Sequence, residues 1–600
     1  MNLFQESISE TVWDIKYRYR QNDKIIDHSI QDTWQRVAKA VAKAEVPANR
    51  AYWQTKFYEI LNDFCFLPGG RIIAGAGTKH QVTLFNCFVM PVADSLKAIF
   101  DALKEGAITL QQGGGVGYDF STLRPRGSHL NYAGAMASGP ISFMRIWNAM
   151  CATMLSTGAR RGAMMGILRC DHPDIEEFIA AKSDPHELRH FNVSVLVTDA
   201  FMQAVQEDAL WDLVFPIQYV EKATKKVKRR WSGSREVVEC GVVRQIKARA
   251  LWQSIIKSAY DYAEPGVIFE DTINKQNNLW YREWISATNP CGEIPLPSYG
   301  ACNLGAINLT QFVENAFSQN ASVNWEKLQE TAAIATRFLD NVIDVSKYPL
   351  KAQKAEALAT RRIGLGITGL ADMFVMLGMR YGDEESLNLA SQLMKVIAEV
   401  TWETSIELGK ERGTFPLFDK EKYLQGAFVK SLPDSMQDNI RLHGIRNSHH
   451  NTIAPTGTIS LLANNISNGI EPIFSAHYER TVRSADGKLM KFSVNDYALR
   501  AWKNKGFKEK LPSAWIDSQL LVPEDHLRIQ AAVQPYIDNA ISKTINIAED
   551  FPFAKLSEVY TQAFEMGLKG CTVFRPNATT GSVLTAVVPV DDDTDRCCQI

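Results

Sequence analysis

Long apolar runs, a large net charge and Cys-x-x-Cys pairs are all missing from this 600-residue chain, and each absence removes a class of protein. No stretch reaches the roughly 18 uninterrupted apolar residues of a transmembrane helix, and the start, MNLFQESISETVWDIKYRYR, is charged and amphipathic without a signal-peptide core. The expectation is a soluble, cytoplasmic protein with no membrane partner. Lys plus Arg total 65 against 67 Asp plus Glu, a formal charge of −2, so nothing global favours a nucleic-acid polymer as partner. The basic run from Lys222 to Arg230 is short and reads as a solvated loop or hairpin. Ten cysteines are too few for a disulfide scaffold, and with no Cys-x-x-Cys anywhere their placement must decide their use.

What is present is an ordinary globular composition, 46% hydrophobic and 22% charged, able to bury a large core. Residues 1–65 are rich in helix formers, and Phe66-Leu67-Pro68-Gly69-Gly70-Arg71 ends them with turn chemistry. From Asp94 to Gln112 the apolar residues fall at helical spacing behind an Asp-Ser cap, and another amphipathic helix covers about Glu385 to Lys410, with Gly413 as its terminator. Short apolar segments such as Phe191 to Val197 read as strands, so the chain is α/β. The expected organisation is a helical N-terminal region (1–65), one large catalytic domain (66–576) and a flexible tail (577–600) carrying Cys597 and Cys598 near its tip.

The most informative stretch runs from Asn289-Pro290-Cys291-Gly292-Glu293 through Pro295 and Pro297 to Cys302-Asn303. Its prolines remove donors and fix φ while its glycines permit bends, so it is a stiff loop holding a thiol two residues from a carboxylate. A zinc site is disfavoured because Cys291 and Cys302 are ten residues apart with no histidine nearby. Taken by itself this remains a thiol–carboxylate loop, with a buried structural thiol as the plain alternative.

As a whole, the motif resembles the finger loop of ribonucleotide reductases, and the resemblance extends from Phe66 to about Pro576, including Arg160 to Gly166 and Arg361 to Gly366. It implies a ten-stranded α/β barrel whose central loop carries a thiyl radical on Cys291. Glu293 is then the base for the ribose 3′-OH, Asn289 its hydrogen-bonding amide, and Cys87, in Leu84-Phe85-Asn86-Cys87-Phe88, with Cys302 the reducing pair. Asn86 belongs to the same substrate site by this resemblance.

A second stretch, Ala454-Pro455-Thr456-Gly457-Thr458-Ile459-Ser460, offers backbone N–H groups around a glycine beside hydroxyls, an anion site that needs no lysine or arginine. Alone such a pattern is usually only a turn; the resemblance assigns substrate phosphates to Pro455, Thr456, Gly457, Thr458 and Ser460. The cluster Gly113-Gly114-Gly115-Val116-Gly117 follows a helix rather than a strand, so a dinucleotide fingerprint fails its context. The resemblance instead implies an effector-site region at about 94–190, with an effector nucleotide, a deoxynucleotide or ATP, at Asp94, Ser95 and Arg124 and a mobile loop between effector and substrate at Ala181 to Arg189.

The type implied is the adenosylcobalamin-dependent one, because Lys569 to Pro576 lacks the tyrosine pair of large subunits that depend on a metal-containing radical subunit. That class and a catalytically inactive nucleotide-binding regulator are the alternatives. Ribonucleoside diphosphates are the expected substrates, a thioredoxin or glutaredoxin-like protein the reductant through Cys597 and Cys598, and a homodimer the expected assembly. No additional ATP-sensing cone domain is expected before the catalytic core.

Overall fold

A computed structural model describes residues 3–22, 24–129, 136–154, 162–184, 186–483, 489–508, 510–577 and 584–586. The N-terminal region folds as α1 (Ser7–Lys16), α2 (Ile30–Val41) and α3 (Arg50–Asn62). α2 begins where a capping box forms: Ser29 Oγ accepts from Asp32 N at 3.2 Å, and Asp32 Oδ2 accepts from Ser29 N at 2.9 Å. Its face of Ile30, Trp34, Val37 and Val41 is buried in the main hydrophobic core.

The central sheet has ten strands. They are β1 (Phe66–Pro68), β2 (Cys87–Met90), β3 (Gly115–Asp119), β4 (Met164–Arg169), β5 (Phe191–Val197), β6 (Gly266–Phe269), β7 (Ala301–Asn308), β8 (Ile363–Thr368), β9 (Thr544–Asn546) and β10 (Gly570–Phe574). From β2 to β6 each strand is parallel to the next. β7 with β8, and β9 with β10, are also parallel pairs, and the two sets meet antiparallel at β2/β7 and β6/β10. β1 adds antiparallel to β7. Between β8 and β9 the ladder continues through Leu365–Asn451 and Ile453–Ile541 bridges, so the hydrogen-bonded path returns on itself as the expected α/β barrel.

Alternation along the strands divides the side chains. Phe88 and Met90 of β2 point outward into the main core, packed under helices such as α4 (Leu96–Gln111), α5 (Pro140–Thr153), α6 (Trp325–Val345) and α7 (Glu384–Arg412), whereas Cys87 and Val89 point inward. The inner cluster gathers Cys87, Val89, Met165, Ile167, Leu196, Ile268, Cys302 and Leu304 around Ile285, Ala287, Ile294 and Leu296, which come from the finger loop and its approach. The barrel is therefore plugged by its own chain. The basic run forms strand Lys226–Arg230 of a separate three-stranded antiparallel sheet with Leu210–Pro216 and Val237–Lys247. No described helix is long and apolar enough to cross a membrane.

Candidate active site

The finger is a short hairpin. Ala287–Thr288 pairs antiparallel with Pro295–Leu296, and residues 289–294 form the turn at its tip. Asn289 closes that turn three times: its N–H donates to Ile294 O (3.2 Å), its carbonyl accepts from Gly292 N (3.1 Å) and its Oδ1 accepts from Ile294 N (3.0 Å). Asn192 Nδ2 on β5 donates to Pro290 O at 2.8 Å. The hairpin stands so close to β3 that a Cβ on Gly117 would lie 1.7 Å from Thr288 O, which explains one glycine of the cluster. From the far side, Thr452 Oγ1 and Ala540 N both donate to Glu293 O at 2.9 Å.

This scaffold brings the expected residues together. Cys87 on β2 is the direct cross-strand neighbour of Cys302 on β7, although the two are remote in sequence. Asn289 Nδ2 donates to Cys87 Sγ at 3.1 Å, and the Cys87 thiol is 3.9 Å from Glu293 Oε1. Burial, reinforced by the Glu293 charge, pushes the Cys87 thiol well up, and burial likewise pushes Cys302 up, so both remain S–H donors. Glu293 is 2% exposed, and burial pushes its carboxyl up to about 7 against hydrogen bonds from Asn289 and Cys87. Cys291, at the tip, is exposed.

Cys291 stands on a wall shared by two cavities. The first, about 290 Å3, is lined by Asn86, Cys87, Asn289, Cys291, Glu293 and the segment 454–459. Two buried oxygens on its walls, Glu293 Oε2 and Asn86 Oδ1, have no hydrogen-bond partner among the described residues. The second cavity, about 600 Å3, is lined by the ends of β5, β6, β9 and β10 and by Cys571; Pro290, Cys291 and Pro455 border both.

The phosphate-loop candidates divide. Pro455, Thr456, Gly457 and Thr458 line the first cavity, with Thr456 at φ 52° before α8 (Gly457–Leu462). Ser460 is turned away: its hydroxyl shares 2.9 Å hydrogen bonds with Thr456 and Thr368, and Gly469 N donates to Thr456 Oγ1 at 2.9 Å. Ser460 thus braces the loop from behind, because it sits one helical turn after Thr456 on the inward face. Asp94, Ser95 and Arg124 are also brought together. Arg124 Nε donates to Asp94 Oδ2 at 2.7 Å, its guanidinium lies 4.7 Å from the Tyr219 ring centroid, and Ser95 Oγ caps α4 by accepting from Ala98 N. Within 181–189, Lys182 donates to Leu188 O and Phe191 O; Pro185 falls outside the described residues. Cys597, Cys598, Arg160 and Arg161 also lie outside them.

Sequence reasoning missed the supports. Asp538 accepts from the N–H groups of His450 and Asn451, each at 2.8 Å, while buried Lys569 donates to Ile537 O and Asp538 O at 3.1 and 2.9 Å and also to Asn539 O. That junction fixes the two segments carrying Thr452 and Ala540. Burial pushes the Lys569 ammonium down to about 7. A lysine flanked by apolar strand residues was the available signal, and it gives no partner by itself.

Residues 85–574 match the ribonucleotide reductase barrel domain, and residues 3–81 match the ribonucleotide reductase all-alpha domain. The chain is 37% identical over 579 residues to the vitamin B12-dependent ribonucleoside-diphosphate reductase of Mycobacterium tuberculosis (strain CDC 1551 / Oshkosh), covering 92% of this chain and 77% of that protein. It is 34% identical over 588 residues to the protein of the same name from Thermoplasma acidophilum, covering 95% and 70%. A ribonucleoside-diphosphate reductase subunit alpha from Chlamydia pneumoniae is 26% identical over 606 residues, covering 91% of this chain and 57% of that protein.

Proposed function

The chain belongs to the ribonucleotide reductase family, and on that premise we propose that it reduces ribonucleoside diphosphates to 2′-deoxyribonucleotides with adenosylcobalamin as its radical source. The observation that carries this reading is the position of Cys291 on the wall between two cavities, one holding a base and a reducing thiol, the other free of both Cys87 and Glu293.

In the first cavity, substrate phosphates meet Pro455, Thr456, Gly457 and Thr458, and the ribose meets Asn86 and Asn289. A thiyl on Cys291 Sγ takes the ribose 3′-hydrogen, and Glu293 Oε2, the partnerless carboxylate oxygen, takes the 3′-OH proton. Cys87, which lines this cavity while Cys302 does not, gives its proton to the departing 2′-OH, which leaves as water. The two thiols together supply two electrons and two hydrogens, closing a Cys87–Cys302 disulfide, and Cys291 returns the 3′-hydrogen. Burial of both thiols suits this step, because an S–H donor must not be lost as a thiolate beforehand.

The second cavity would hold part of the cofactor: Asn192, Ser194, Thr544 and Asn546 offer polar groups to an amide-bearing ring, and Cys291 borders the same space. When bound, adenosylcobalamin supplies an organic radical by homolysis of its cobalt–carbon bond. Thr572, Val573 and Phe574 on β10 present no phenol to relay a radical from another subunit. An effector nucleotide binds at Asp94, Ser95 and Arg124, and a homodimer forms through the neighbouring helices α4 and α5, where Leu96, Phe100 and Ile146 are exposed. In the cytoplasm a thioredoxin-like reductant renews the pair through Cys597 and Cys598.

The test is anaerobic turnover of CDP by this chain alone with adenosylcobalamin and a small dithiol. Product should form without a second protein, and Cys291→Ser should form none while still binding CDP, since an O–H bond is too strong to serve the relay. Activity that needed a metal-loaded subunit and ignored cobalamin would overturn the cofactor assignment. A Cys597→Ser, Cys598→Ser double variant should keep dithiol-driven turnover and lose the thioredoxin-driven reaction.

A further inference from the structure

We propose that Arg71 is a substrate-binding residue of this site, its guanidinium taking the diphosphate that the 455–458 loop receives. The proposal rests on the reading of that loop as the phosphate end of the first cavity. Arg71, half-buried, lies on the wall of this cavity together with Thr456, Gly457 and Thr458. Among the described residues on that wall the charged side chains are Arg71 and Glu293. Glu293 stands beside Cys87 and Asn289 at the ribose end, and its charge has the same sign as the phosphates. Hydroxyls and glycine N–H groups alone leave that charge uncompensated; a guanidinium on the same wall balances it and pairs with phosphate oxygens in a planar, two-pronged geometry.

The seat for this guanidinium is a glycine that the dinucleotide reading could not use. Gly113 has φ +98°, and a Cβ there would stand 2.4 Å from Arg71 Cζ, 2.5 Å from Nη1 and 2.7 Å from Nε. Cζ, Nη1 and Nε of the guanidinium therefore lie against the bare backbone at 113, and a side chain there would displace them. Gly70 and Gly69, which precede Arg71, line the same cavity and leave the approach clear. The glycine cluster thus has two separate uses: Gly117 admits the finger, and Gly113 admits the arginine.

The experiment is equilibrium binding of cytidine, CMP and CDP to the full chain as wild type, Arg71→Gln and Arg71→Lys. Wild type should gain affinity with each phosphate. Arg71→Gln should weaken CDP about tenfold to a hundredfold, the range for one charge-assisted contact, and leave cytidine unchanged. Arg71→Lys, which keeps the charge and loses the fork, should fall between them and serves if the glutamine variant does not fold. CDP affinity in Arg71→Gln within twofold of wild type, or an equal loss for cytidine, would overturn the assignment, the latter marking a merely structural role. A wild-type chain that binds cytidine as tightly as CDP would overturn the phosphate-loop reading and Arg71 with it.

Discussion

Glu45 and Glu293 are each 2% exposed, Glu293 the more deeply enclosed of the two, and they settle in opposite states. Burial pushes Glu45 up, but hydrogen bonds from Arg337, Asn341 and Arg412 outweigh it and hold the carboxyl at about 2. Its Oε1 accepts from Arg337 Nε and Asn341 Nδ2, both at 2.8 Å, and its Oε2 accepts from Arg337 Nη2 at 2.7 Å and Arg412 Nη2 at 2.5 Å. Glu293 has an amide and a thiol as its partners among the described residues and one oxygen with no described partner. Two buried carboxylates of equal exposure therefore do different work. The compensated one ties the helical region after α2 to α6 and α7, and the uncompensated one is free to take a proton near neutrality.

The sharpest way to separate them is by substitution to the neutral isostere. Glu293→Gln should cut turnover by about a thousandfold or more while the protein stays folded and binds CDP, because general-base catalysis contributes on the order of 10²–10⁴ and the amide cannot accept the 3′-OH proton. Glu45→Gln should leave the chemistry intact at a temperature where the variant is folded. Deoxynucleotide formation under single-turnover conditions reads both, and equal losses would erase the contrast.

Stability should divide them the other way. Removing Glu45 takes one carboxylate from a buried cluster and leaves Arg337 with Glu411 and Arg412 with Glu411, Asp340 and Asn341, so Glu45→Ala should lose about 3 kcal/mol in urea unfolding at pH 7, the low end of the usual cost of breaking a buried pair. With a folded value of about 2 below the unfolded 4.5, the Glu45 contribution is full above pH 4.5 and fades as pH falls toward 2. The gap between wild type and Glu45→Ala should therefore narrow in acid.

Glu293 has the reverse sign. Its folded value of about 7 lies above the unfolded 4.5, so it favours the native state in acid and costs stability as pH rises through that window. Glu293→Gln should be more stable than wild type at pH 8 by up to about 3 kcal/mol, with the difference closing toward pH 5. A glutamine variant less stable than wild type at pH 8 would mean that the carboxylate is compensated after all. The smallest expected effect is the pH profile itself: kcat/KM should rise with a limb near pH 7 and then level as Glu293 ionises.

Local patterns were readable before any coordinates. The Asp-Ser cap and apolar spacing locate α4, observed at Leu96–Gln111; the long amphipathic stretch locates α7, which gains a residue at its start and two at its end; and Phe191–Val197 is a strand as read. The thiol–carboxylate loop was visible because proline and glycine spacing is a property of neighbours. Less legible was the direction of side chains: Ser460 lies in the 454–460 segment but faces Thr368, and Arg71 reads as turn punctuation although it lies on the cavity wall.

The sequence by itself determined the periodic elements, the stiffness of the finger and the chemical identities at its tip, since these depend on residues within a few positions of one another. Only the tertiary structure decided that Cys87 lies across from Cys302, that Cys291 borders two cavities, and that Glu293 has an amide and a thiol as its described partners while Glu45 is held by arginines. The physical reason is that strand pairing, enclosure and the sign of a neighbouring charge are properties of which distant segments close the barrel together. Protonation follows from that closure, because the same carboxyl group titrates near 2 or near 7 according to what the fold packs against it.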